Sequence, residues 1–77
     1  MKQAIEQIVK GIARAPELAE VYEIGDGKNI RFEVRLAPDD YGRLIGREGR
    51  TIKAIRSLLF FAGQKHGKRY QLDLIED

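Results

Sequence analysis

Residues 42–55 read Gly-Arg-Leu-Ile-Gly-Arg-Glu-Gly-Arg-Thr-Ile-Lys-Ala-Ile, and no other stretch limits the fold as tightly. Gly46 and Gly49 bracket a charged pair, Arg47 and Glu48. Leu44 and Ile45 precede the turn, and Ile52 and Ile55 open an apolar helical stripe behind it. Glycine reaches backbone conformations closed to other residues and lets the chain pass close to another surface. A tight turn that opens a helix leaves the first N–H groups of that helix unpaired, a ready place for a phosphate. Arg43, Arg47, Arg50 and Lys53 surround the turn with positive charge. Such a loop suits the grip of a nucleic-acid backbone, and Glu48 works against that grip. The same residues also fit a helix–turn–helix hairpin with a basic face.

The charge distribution separates this region from its flanks. The chain carries a net charge of only +2. Between residues 42 and 69, however, Arg43, Arg47, Arg50, Lys53, Arg56, Lys65, Lys68 and Arg69 face Glu48 alone. A charge run is commonly just a solvated face, but cations gathered around one glycine loop suit an electrostatic footprint for nucleic acid. With 77 residues the chain makes one small domain, residues 1–77, and without cysteine it has no disulfide or thiolate metal site. Hydrophobic residues at 43% and charged residues at 34% give a globular mixture instead of a disordered one. No apolar run approaches the roughly 20 residues of a membrane helix, and no signal-peptide pattern opens the chain. A soluble, cytoplasmic protein is expected.

Along the chain, residues 2–14 predict an amphipathic helix, because Ile5, Ile8, Val9 and Ile12 recur at helical spacing and Ala15-Pro16 ends it. A short strand is expected over 20–24, followed by a turn at Gly25-Asp26-Gly27. A second strand is expected over 29–36, where Ile30, Phe32, Val34 and Leu36 alternate with Arg31, Glu33 and Arg35. Pro38-Asp39-Asp40 starts a short helix over 39–45, with proline in the first turn and acids at its positive end. The helix over 50–64 puts Ile52, Ile55, Leu58, Leu59 and Ala62 on a core face. Gly63 and Gly67 break it around Lys65-His66, and a last strand is expected over 69–75. His66, the only histidine, reads as a plain surface residue. A right-handed crossover over two helices makes the last strand parallel to the second.

Residues 44–52, Leu-Ile-Gly-Arg-Glu-Gly-Arg-Thr-Ile, resemble the I-G-x-x-G-x-x-I signature of KH domains, whose GXXG loop clamps a few nucleotides of single strand. The element order, helix-strand-strand-helix-helix-strand, is similar to the type II (αββααβ) arrangement. The likeness covers essentially the whole chain. It implies an α+β fold in which a three-stranded mixed sheet carries three helices on one face. It also implies a non-catalytic protein that binds single-stranded RNA, a bacterial RNA chaperone or post-transcriptional regulator. The loop 46–49 with Arg43, Arg50 and Lys53 holds the backbone in this picture, and Ile45 and Ile52 floor the cleft. The hairpin turn at 25–27 belongs to the cleft wall, and its shortness implies a shallow site of modest specificity.

Chemistry beyond binding finds little support. There is no metal-ligand cluster, no cofactor motif and no GxxxxGK[ST] phosphate loop, so neither metal, cofactor nor enzymatic activity is expected. One feature is left over from the monomer's core. Ala54, Ser57 and Phe61 fall on the side of the 50–64 helix opposite the core stripe. Small residues there permit close approach of a second helix, and the phenylalanine supplies area, which suits a homodimer or a heterodimer with another KH-domain protein. A phenylalanine tucked under a neighbouring loop accounts for the same pattern. An interaction module with RNA binding secondary is the competing function.

Overall fold

The computed structural model describes residues 1–76. Helix α1 (Lys2–Ile12) and a single 3₁₀ turn lead into strand β1 (Glu20–Asp26) and strand β2 (Asn29–Arg35). A second 3₁₀ turn, Pro38–Asp40, runs into helix α2 (Tyr41–Ile45). The glycine loop, helix α3 (Arg50–His66) and strand β3 (Arg69–Leu74) follow. Strand β2 is central, antiparallel to β1 and parallel to β3. This is the α+β arrangement of a type II KH domain, a three-stranded mixed sheet with three helices on one face.

The alternation in β2 explains why the helices gather on that face. Phe32 and Val34 are completely buried, and their neighbours across the sheet, Val21 on β1 and Leu72 on β3, are buried with them. Ile5 and Val9 of α1, Leu44 of α2 and Ile52, Ile55 and Leu59 of α3 close over this layer. Each such side chain contributes about 1.5–3 kcal/mol by leaving water. The opposite face carries the charges, with Arg31 bridging Glu33 and Asp73 at 3.2 and 3.7 Å, and leaves Tyr22 and Ile24 of β1 exposed beside them.

Three differences from the sequence reading have physical causes. Helix α1 ends at Ile12 instead of 14, because Ala13 turns extended and frees the next two amides for another partner. Helix α3 runs on to His66, and Gly67, at φ +66°, ends it. Gly63 therefore does not break the helix. A Cβ there would stand 2.4 Å from the carbonyl oxygen of Lys68, whose own N–H donates to the Gly63 carbonyl at 2.7 Å. The residue is a close-approach point inside the helix. Leu58, expected in the core, is 61% exposed. The buried stripe of α3 is Ile52, Ile55, Leu59 and Gly63, and at about 100° per residue Leu58 projects about a quarter-turn away from it. A helix laid on an edge strand has only a narrow face to bury.

The amides freed at the end of α1 are taken by Asp40. Its side chain is 2% exposed and accepts N–H bonds from Arg14 at 3.1 Å and Ala15 at 3.0 Å. This carboxylate ties the end of α1 to the start of α2. Those two N–H bonds, with help from Arg43 and Arg14, hold its pKa below the ordinary 3.8 against the opposing effect of burial. A lowered folded-state pKa adds stability that is complete above the unfolded value and disappears as pH falls through the folded one. Asp40→Asn should therefore be destabilised in urea unfolding at pH 7, and its deficit should shrink below pH 3.8. An equal deficit at both ends of that range would remove Asp40 from the role of charged clamp.

Candidate nucleic-acid interface

The loop reverses the chain between α2 and α3 within four residues, and its backbone explains the two glycines. Gly46 sits at φ +78°. A Cβ on it would fall 2.3 Å from Thr51 Oγ1 and 2.9 Å from the Thr51 amide nitrogen. Gly49 at φ +74° caps α3, and the space beside it is open, with only the Lys53 stem within 4 Å. Between them Glu48 takes a left-handed conformation at φ +57°, the only non-glycine with positive φ among the described residues. No side chain caps the first turn of α3, so its free N–H groups face the loop.

Arg47, Glu48, Arg50 and Lys53 are all exposed around this turn. Arg50 lies 3.6 Å from Glu48, and both are open to water, so their attraction is weak and replaceable. Arg43 stands farther back on α2 and reaches Asp40 at 3.5 Å, which divides its charge between the fold and solvent. Arg47 and Lys53 have no ion-pair partner among the described residues.

Ile45, half-buried, and Ile52, buried, line an apolar cleft of about 600 Å³ with Leu74 and Ile75 from the end of β3. Arg56 and Asp73 complete its rim. The structure thus brings Ile45 and Ile52 together beside the loop. It does not bring in the hairpin turn. Arg69 at the start of β3 donates to the Lys28 carbonyl at 2.6 Å, so the turn lies at the other end of the sheet. The cleft wall is the free edge of β3.

Sequence reasoning missed Arg56 as part of this rim. Its Nε and Nη2 donate to the Leu72 carbonyl at 3.3 and 3.0 Å, spanning from α3 to the β3 edge. Its place four residues after Ile52 was the available signal, since that spacing puts both on neighbouring lines of one helix. Ala54, Ser57 and Phe61 are exposed on the far side of α3, where Leu58 joins them at i, i+3, i+4, i+7 spacing.

A glycine loop between two helices, opening onto an apolar cleft against a sheet edge, defines a KH domain. A family model described as KhpA/KhpB, KH domain, matches residues 2–74, and the chain belongs to that family. A protein of Halalkalibacterium halodurans named RNA-binding protein KhpA is 38% identical over 76 residues, covering 99% of this chain and 100% of that protein. A protein of the same name from Clostridium acetobutylicum is 37% identical over 75 residues, covering 97% and 100%. One from Chlamydia pneumoniae is 36% identical over 77 residues, covering 100% and 99%. No solved structure matches the chain.

The two glycines should respond differently to a methyl group. Gly49→Ala meets only the cost of a left-handed non-glycine, about 1–2 kcal/mol. Gly46→Ala adds a collision with Thr51 that the loop can relieve only by moving the start of α3. Denaturant unfolding should rank Gly46→Ala well below Gly49→Ala, and equal losses would mean the loop is not packed as described.

Proposed function

We propose that this chain is a non-catalytic, single-stranded RNA-binding protein of the bacterial cytoplasm that acts as an RNA chaperone or post-transcriptional regulator. The observation that carries the reading is the exposed cationic loop Gly46-Arg47-Glu48-Gly49, joined without interruption to the Ile45–Ile52 cleft. The uncapped amides of α3 with Arg47, Arg50 and Lys53 hold phosphates, and the isoleucines make apolar contact with splayed bases. The names of the relatives point the same way. Binding of this kind is weak per module and falls with salt. No described helix is long and apolar enough to cross a membrane.

The test is a double aspartate in the loop, Arg47→Asp with Glu48→Asp. Both side chains are exposed, and aspartate tolerates the left-handed conformation at position 48. The variant should melt like the wild type and lose salt-sensitive binding to a single-stranded RNA in fluorescence polarisation. Retained affinity would refute the loop as the grip.

A second reading concerns assembly, and the exposed stripe Ala54, Ser57, Leu58 and Phe61 favours it. Phe61 is 64% exposed, and in a domain this small a missed burial of about 1.5–3 kcal/mol is substantial. Two copies of α3 related by a two-fold axis pair the stripe with itself, with Ala54 and Ser57 allowing close approach. A homologous KH domain of another protein could take the same place. Such a dimer carries two loops and gains avidity for RNA that spans them. If the stripe instead serves only protein contacts, RNA binding is secondary. Phe61→Asp should give a folded monomer by sedimentation with reduced RNA affinity. A wild type that is monomeric at high micromolar concentration would rule this surface out.

A further inference from the structure

We propose that the groove between α3 and the free edge of β3 is a second nucleotide site, where the Phe60 ring stacks on a base of the strand held at the glycine loop. The proposal rests on the RNA-binding reading above. A cavity of about 670 Å³ lies beside Phe60, with Arg56, Tyr70, Lys68 and Arg69 among its walls. Arg56 and Asp73 line both this cavity and the cleft over Ile45 and Ile52, so the two adjoin, with the Arg56 side chain crossing between them to the Leu72 carbonyl.

Phe60 is 58% exposed, and its ring meets that of Phe61 edge-on at 5.7 Å. It does not share a line with the apolar stripe on the far side of α3. Lys53, Arg56, Phe60 and Gln64 follow each other at intervals of three, four and four residues, which makes a separate ridge along the groove. The ridge begins beside the loop and ends beside Lys68 and Arg69. From Gly49 to Phe60 the helix rises about 16 Å, on the order of five nucleotides of a stacked strand.

The chemistry favours a nucleic-acid strand over a peptide. Arg56, Lys68 and Arg69 supply positive charge, while the one acid lining the groove, Asp73, is paired with Arg31 at 3.7 Å. A peptide adding to the β3 edge would compete for the Leu72 carbonyl, which Arg56 already occupies. An open aromatic face flanked by cations is the usual platform for single strands.

The experiment compares single-stranded oligoadenylates of 4 and 12 nucleotides in fluorescence polarisation. Phe60→Ala should weaken the 12-mer by about 5- to 100-fold, leave the 4-mer unchanged, and keep the sedimentation and melting of the wild type. Phe60→Trp should restore the 12-mer, and Phe60→Leu should not. Full binding by Phe60→Leu overturns stacking. A change in oligomeric state with Phe60→Ala assigns the ring to a subunit contact and overturns the site. If Phe60→Ala binds normally while the loop double aspartate does not, this inference fails alone. If neither variant loses binding, the RNA reading fails with it.

Discussion

The contact between Gly46 and Thr51 fixes the functional end of the molecule. The backbone at position 46 approaches position 51 more closely than any side chain allows, so α2 can stop and α3 begin within a single turn. Ile45 and Ile52 then fall next to each other at the bottom of one cleft, although six residues separate them in sequence. The cations of the loop are turned outward by the same reversal. A longer or looser connection would separate the cationic loop from the apolar floor, which the proposed RNA grip needs side by side.

Helix α3 divides its circumference among three tasks. One narrow line, Ile52, Ile55, Leu59 and Gly63, anchors it to the sheet. A second, Arg56, Phe60 and Gln64, borders the groove at the edge of β3, and a third, Ala54, Ser57, Leu58 and Phe61, faces solvent on the other side. Because the sheet has only three strands and α3 lies on its edge, the core claims little of the helix. That leaves two exposed faces with different chemistry, one cationic around a single aromatic ring, Phe60, and one mostly apolar. A larger sheet would bury one of them.

The sheet order and the loop were legible because they rest on strong local signals: alternation in β2, paired glycines, and the crossover rule for a parallel strand. Leu58 was misread because an ideal helical wheel gives a broad apolar stripe, whereas the width that is buried depends on what the helix packs against. Gly63 looked like a helix end since glycine is a poor helix former, and only the passage of Lys68 beside it gives the residue a purpose. The hairpin turn was assigned to the cleft although no wall of the cleft comes from it; strand polarity puts it at the opposite end of the sheet. Asp40 looked like a helix-end acid, and its actual partners are 25 and 26 residues away, a distance at which sequence patterns are silent.

Glu48 is the residue that fits the proposed grip least. It occupies a left-handed conformation that favours glycine, asparagine or aspartate, and it puts an acid among cations. Its carboxylate lies against Arg50 with water on both sides, where an ion pair contributes about 0–1 kcal/mol. A phosphate arriving at the uncapped turn of α3 would accept hydrogen bonds from the free backbone N–H groups as well as from Arg50. Under the proposed RNA grip the acid would act as a counterion that a nucleic-acid backbone displaces.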